Sequence, residues 1–193
     1  MPIYQNTSVN TGRLLIGNYK IETAAYGTSA GGTWVNLGAG MVNSFNHQIT
    51  KYDVQAGNAP DPIEGVSEET FTIDMELIEY DASVLAAISC GLVTADTTTS
   101  STQSVYKAGG NTILTNRAFK LTNRRMVSGA TKDTVILVFK ATIDNGLQVT
   151  AKSDNDTDPI NVMPVSLTAK LDSTLSIGSQ LYTITHPFTT AGA

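Results

Sequence analysis

Residues 68–92 read EETFTIDMELIEYDASVLAAISCGL, a strand running directly into a helix. Phe71, Ile73, Met75 and Leu77 are apolar, and Thr70, Thr72, Asp74 and Glu76 alternate with them. Side chains alternate faces along a strand, so one face is greasy and the other polar and acidic. The period then changes. Asp81 is a helix N-cap residue type. Val84, Leu85 and Ile88 follow at helical spacing, and Gly91 stands where helices commonly stop. This predicts one helix over about 81–91. The remaining chain reads as strands and loops that cover the greasy face of this unit.

A chain of 193 residues suits a single domain spanning 1–193. The net charge is −5, which argues against a generic nucleic-acid surface binder with a basic footprint. The charge is unevenly spread. Residues 1–96 hold eleven acids and three bases, a balance of −8, and residues 97–193 hold six acids and nine bases, a balance of +3. Opposite halves of this kind suit association between copies. The single cysteine, Cys90, has no partner for an intramolecular disulfide and reads as a small buried hydrophobe. No apolar run approaches the length of a membrane-spanning helix. The first 13 residues lack a basic stretch followed by an apolar one, so no secretory signal is expected.

Working outward, residues 1–12 are polar and read as an N-terminal arm. Arg13–Glu22, Thr33–Leu37 and Met41–Val54 read as strands, with Gly38-Ala39-Gly40 between the last two. Residues 57–65 are dense in turn formers. Residues 94–110 are rich in Thr and Ser and read as a long polar loop. Strands are expected over 112–115, 119–127, 134–143, 147–151, 160–171 and 176–185, and residues 186–193 read as a polar tail. Pro164 removes a ladder donor from its strand, which implies an edge or a bulge there. Many strands with turn signals between them and one helix make the chain mainly β: a β-sandwich or small barrel with a flanking helix.

Few residues offer chemistry. The two histidines, His47 and His186, accompany no recognisable nucleophile motif, and HExxH, GxSxG and GxxxxGK[ST] are absent. Gly38-Ala39-Gly40 begins like a dinucleotide fingerprint, but Asn43 replaces the third glycine and no helix follows. Asp154, Asp156 and Asp158 alternate as the first ligands of a calcium loop do. Pro159 stands where that loop needs glycine, and Val165 where it needs the bidentate Glu, so a solvated turn is the plainer reading. Arg117, Lys120, Arg124 and Arg125 form a basic cluster along one strand, which in an acidic protein suits pairing with carboxylates of another copy.

The order of these features carries a resemblance. Strand RLLIGNYKI (13–21) is followed by a glycine-rich loop and Trp34-Val35-Asn36-Leu37-Gly38. A Pro/Gly-rich turn and the Glu68–Gly91 strand and helix come next. Late in the chain, Val135–Ile143 runs into Gly146-Leu147, and Asp158-Pro159-Ile160 leads to Val165–Asp172. Over nearly its whole length the chain resembles the major tail (tail tube) proteins of long-tailed bacteriophages. The resemblance implies a β-sandwich with a flanking helix that assembles into hexameric rings. The rings would stack into a hollow tube in the virion tail and let DNA through during ejection. It implies no enzymatic activity and no cofactor, and synthesis in a bacterial host cytoplasm. The implied partners are further copies, the tape measure inside the tube, the terminator and the baseplate or tip. In such a tube Thr72, Asp74 and Glu76 are the expected lumen-facing residues, because a wall that repels phosphate lets a duplex slide. Two other readings are a different virion protein (a tail terminator or capsid decoration protein) and a ligand- or carbohydrate-binding β-sandwich. The scattered aromatics speak against the last.

Overall fold

The computed structural model describes residues 19–28, 32–54, 63–78, 82–96, 105–110, 113–127, 130–146, 148 and 162–186. The expected arm at 1–12, the N-cap Asp81 and the Asp154–Asp158 run lie outside them. The elements are β1 (Tyr19–Ala25), β2 (Val35–Val54), β3 (Ile63–Leu77), α1 (Ala82–Ile88), β4 (Val93–Asp96), β5 (Val105–Ala108), β6 (Arg117–Val127), β7 (Ala130–Ile143), β8 (Met163–Ala169) and β9 (Tyr182–Thr185).

The strands join as β6-β1-β2-β3-β8-β7, and β6 also pairs with β7. The sheet therefore closes on itself as a six-stranded antiparallel barrel, which settles the choice between sandwich and barrel. Closure pairs strand edges that an open sheet would leave free. β7 shares one edge between two partners: Val135–Val138 pair with β9, and Ala141–Ile143 pair with β8. Pro164 sits where β8 has passed the end of its β7 pairing and is laddered to β3 alone, which is the edge its missing N–H requires.

β3 behaves as its alternation dictates. Phe71, Ile73, Met75 and Leu77 point into the barrel and are buried, with Leu37, Phe119, Leu121, Ile136 and Leu167 among their core companions. α1 adds Leu85 and Ile88 to that core. The helix ends early, at Ile88, and Cys90 (φ 53°) and Gly91 (φ 92°) turn the chain in left-handed conformations. A Cβ on Gly91 would stand 2.9 Å from Thr115 Oγ1. Cys90 is buried, as expected, and burial pushes its thiol up.

Four expectations are corrected. Thr33–Leu37 and Met41–Val54 are one strand, β2. Leu37 and Gly38 together oppose Ile21, a β-bulge, and Gly38 takes φ 91° there. Gly40 is needed for a different reason: a Cβ would lie 2.4 Å from Ile21 Cδ1 and 2.9 Å from the Glu76 carbonyl oxygen. The ends of the 94–110 loop are not loop, because β4 and β5 pair as a two-stranded sheet. Residues 113–116 form no strand, and the last strand spans only Tyr182–Thr185, after a chain of turns.

Candidate functional site

The polar face of β3 lies on the outside of the barrel, opposite its core-facing residues. Register places three rows across the β2, β3 and β8 strands: Asn46–Thr72–Thr168, Ser44–Asp74–Ser166 and Met41–Glu76–Pro164. Paired residues in adjacent strands share a face, so Thr72, Asp74 and Glu76 form the spine of one polar strip. Asp74 is its anchor. Ser44 Oγ donates to Asp74 Oδ2 at 2.7 Å, and Ser166 Oγ donates to Asp74 Oδ1 at 2.6 Å. Hydrogen bonds from Ser166 and Ser44 hold this carboxyl below the usual carboxylate range, against the opposing pull of burial. Asn43 Nδ2 donates to Glu76 Oε1 at 3.3 Å. At the edge of the strip the Thr168 hydroxyl donates to Asp144. Among the described residues neither Asp74 nor Glu76 takes a Lys or Arg partner. Two carboxylates and four hydroxyls stand in the strip beside Asn46, Met41 and Pro164, and with no cation in these rows it is unsuited to gripping polyanions.

β2 and β3 are longer than the barrel. β8 ladders with β3 only from Phe71 to Leu77, whereas β2 and β3 stay paired out to Val54 and Ile63. The excess is a two-stranded ribbon exposing Ile49, Tyr52, Val54 and Val66. On the described residues, β3 has no ladder partner on its second edge before Phe71. At the base of the ribbon a cleft of about 550 Å³ separates Val66–Glu69 from Leu171, Ile177 and Tyr182. Tyr182 stacks on Phe71 at 4.0 Å, and Ile177 stands 95% exposed at the loop tip.

The basic cluster is spread among partners inside the chain. Arg117, half-buried, donates from Nε to Thr23 Oγ1 at 3.1 Å, and burial pulls its guanidinium down. Lys120 pairs with Glu22 at 2.9 Å and lies 4.7 Å over the Trp34 ring. Lys20 holds the same Glu22 at 2.8 Å. Burial pushes Glu22 up, but the two lysines outweigh it and leave the carboxyl below its ordinary value. Arg124 grips Asp133 through both Nε and Nη2 at 3.0 Å across β6 and β7, and its side chain is exposed. The backbone of Arg125 pairs with that of Lys132. Nothing in the local sequence signals Glu22 or Thr23 as partners, since they lie on β1, far earlier in the chain.

His47 lines the cleft at the base of the ribbon together with Ser67, Glu68 and Glu69. His47 Nδ1 lies 3.3 Å from the Tyr182 hydroxyl and its ring stands edge-on to Phe71 and Tyr182. His186 Nδ1 lies 2.8 Å from Thr134 Oγ1. Among the described residues no group of three His, Cys, Asp or Glu is placed to hold a metal ion.

No known family model matches the chain, and no curated protein is similar to it. Among solved structures it is similar to the cap that terminates the tube of an anti-feeding prophage, at 10% identity and a TM-score of 0.41. The likeness covers 89% of this chain and 91% of that one. A likeness at that level carries no inference about function.

Proposed function

We propose that the chain is a structural protein of a phage-type tail, which assembles with further copies into stacked hexameric rings forming a tube for DNA. The observation that carries this reading is the β2–β3 ribbon. A two-stranded hairpin is marginal on its own in water, and an unpaired edge beside exposed Ile49, Tyr52, Val54 and Val66 invites another strand. Ribbons of neighbouring copies joined edge to edge would close a larger barrel around a channel. The ribbons would form the wall of that barrel, and the outer strip farther along the same strand, with Thr72, Asp74 and Glu76, is the proposed lumen-facing surface. The resemblance in feature order supports the same reading. It supplies the virion tail as the location and the tape measure, terminator and baseplate or tip as further partners.

Arg117, Lys120, Arg124 and Arg125 are the proposed inter-copy bases. Arg124 is the best placed of them, because an exposed bidentate guanidinium can exchange Asp133 for a neighbour's carboxylate at little cost. Electron microscopy of the purified protein tests the proposal. Long hollow tubes support it. Rings that never stack favour the terminator reading, and a protein monomeric at all concentrations refutes self-assembly.

A further inference from the structure

The chain contains one Asn-Gly pair, Asn145-Gly146, at the exposed bend where β7 ends. We propose that it is a self-modification site, at which Asn145 loses its side-chain amide by cyclising onto the main chain. The product is an aspartate or isoaspartate beside the acidic outer strip.

Three features of the bend favour the reaction. Gly146 has no side chain to shield its own nitrogen, and a Cβ built there would meet nothing within 4 Å, so the bend has space to move. Both residues are exposed, so water and hydroxide reach them. The main-chain N–H of Ser166 donates to Asn145 Oδ1 at 3.4 Å, which places a donor where negative charge develops during attack on Cγ. Two other asparagines of β2 lack this combination. Asn43 is followed by Ser44, and its amide nitrogen is engaged by Glu76. Asn36 turns its Oδ1 to the N–H of Gly38.

The step balances without an added oxidant or reductant. The Gly146 nitrogen forms a bond to Asn145 Cγ, the Cγ–NH2 bond breaks, and the Gly146 proton leaves with that nitrogen as ammonia. Water then opens the resulting succinimide. Opening at Cγ gives the aspartate, and opening at the main-chain carbonyl gives isoaspartate. Either product adds one negative charge next to Asp144. Ser166 donates from its N–H to Asn145 and from its hydroxyl to Asp74, so the new charge is one residue from the anchor of the strip.

The test uses the full chain, incubated folded at neutral and mildly alkaline pH and followed by peptide mass mapping and isoelectric focusing. The expected result is conversion at position 145, faster at higher pH, with a new band one charge more acidic. Asn145→Gln should abolish the band. Gly146→Ala, which the open space around Gly146 tolerates, should strongly slow it. The proposal is overturned if position 145 stays an amide in the folded protein while converting in urea, or if the acidic band persists in Asn145→Gln.

Discussion

Replacing Asp74 with alanine removes the acceptor that ties β2, β3 and β8 together on the outer face. Two serine hydroxyls, on Ser44 and Ser166, would lose a charged partner at 2.7 and 2.6 Å. A hydrogen bond to a sheltered charge contributes about 1.5–3 kcal/mol. Asp74 is half-exposed, where water competes and screens, so about 0.5–1 kcal/mol per bond is the better figure. The variant should therefore lose about 1–2 kcal/mol, which for a chain of this size lowers Tm by about 2–8 °C. The pH dependence fixes the cause. The folded carboxyl sits below its unfolded value because of Ser166 and Ser44. Its stabilisation is thus complete above the ordinary Asp range and is lost as pH falls through the folded value. Thermal melts of unassembled wild type and Asp74→Ala should differ at pH 7 and converge in strong acid. A gap that is absent at neutral pH, or that stays unchanged in acid, would falsify this account of the clamp.

Other perturbations probe other elements. Gly40→Ala forces a methyl group against Ile21 and the Glu76 carbonyl, and should cost about 1–3 kcal/mol in chemical denaturation; an unaltered midpoint would show that the barrel corner has slack there. Lys120→Met removes one of the two cations on Glu22, so stability should fall at neutral pH and less in acid, where the carboxyl is neutral; an equal loss at both pH values would assign Lys120 a packing role alone. Arg124→Glu places like charges beside Asp133 and should weaken assembly at low salt, with added salt restoring part of it; sedimentation showing unchanged assembly at low salt counts against the inter-copy role. Deleting residues 1–11 should leave a folded protein by circular dichroism that no longer polymerises, and normal polymerisation would remove the arm from the assembly account.

The unit around residues 68–92 was legible because its signals are local. Period two in Phe71–Leu77 and the helical spacing of Val84, Leu85 and Ile88 need no knowledge of the rest of the chain. The glycines of β2 misled for the opposite reason. Gly38-Ala39-Gly40 reads as a turn, yet one glycine makes a bulge and the other makes room for Ile21, a residue on a different strand. The Thr/Ser composition of 94–110 hid two short strands whose pairing is with each other. Asp74 stood out as polar on an alternating strand, but its partners come from 30 residues before it and 92 residues after it, and only the register of the barrel brings them together. The basic cluster was visible as charges, whereas its partners Glu22 and Asp133 are set by β1 and β7 crossing β6.

The most direct test of the central claim is a map of the assembled protein by cryo-electron microscopy. The expected map shows a hollow tube of stacked six-fold rings, β2–β3 ribbons paired edge to edge between copies, and Asp74 and Glu76 directed at the channel. Isolated monomers, or a channel lined mainly by Lys and Arg with Asp74 and Glu76 turned away from it, would contradict the account.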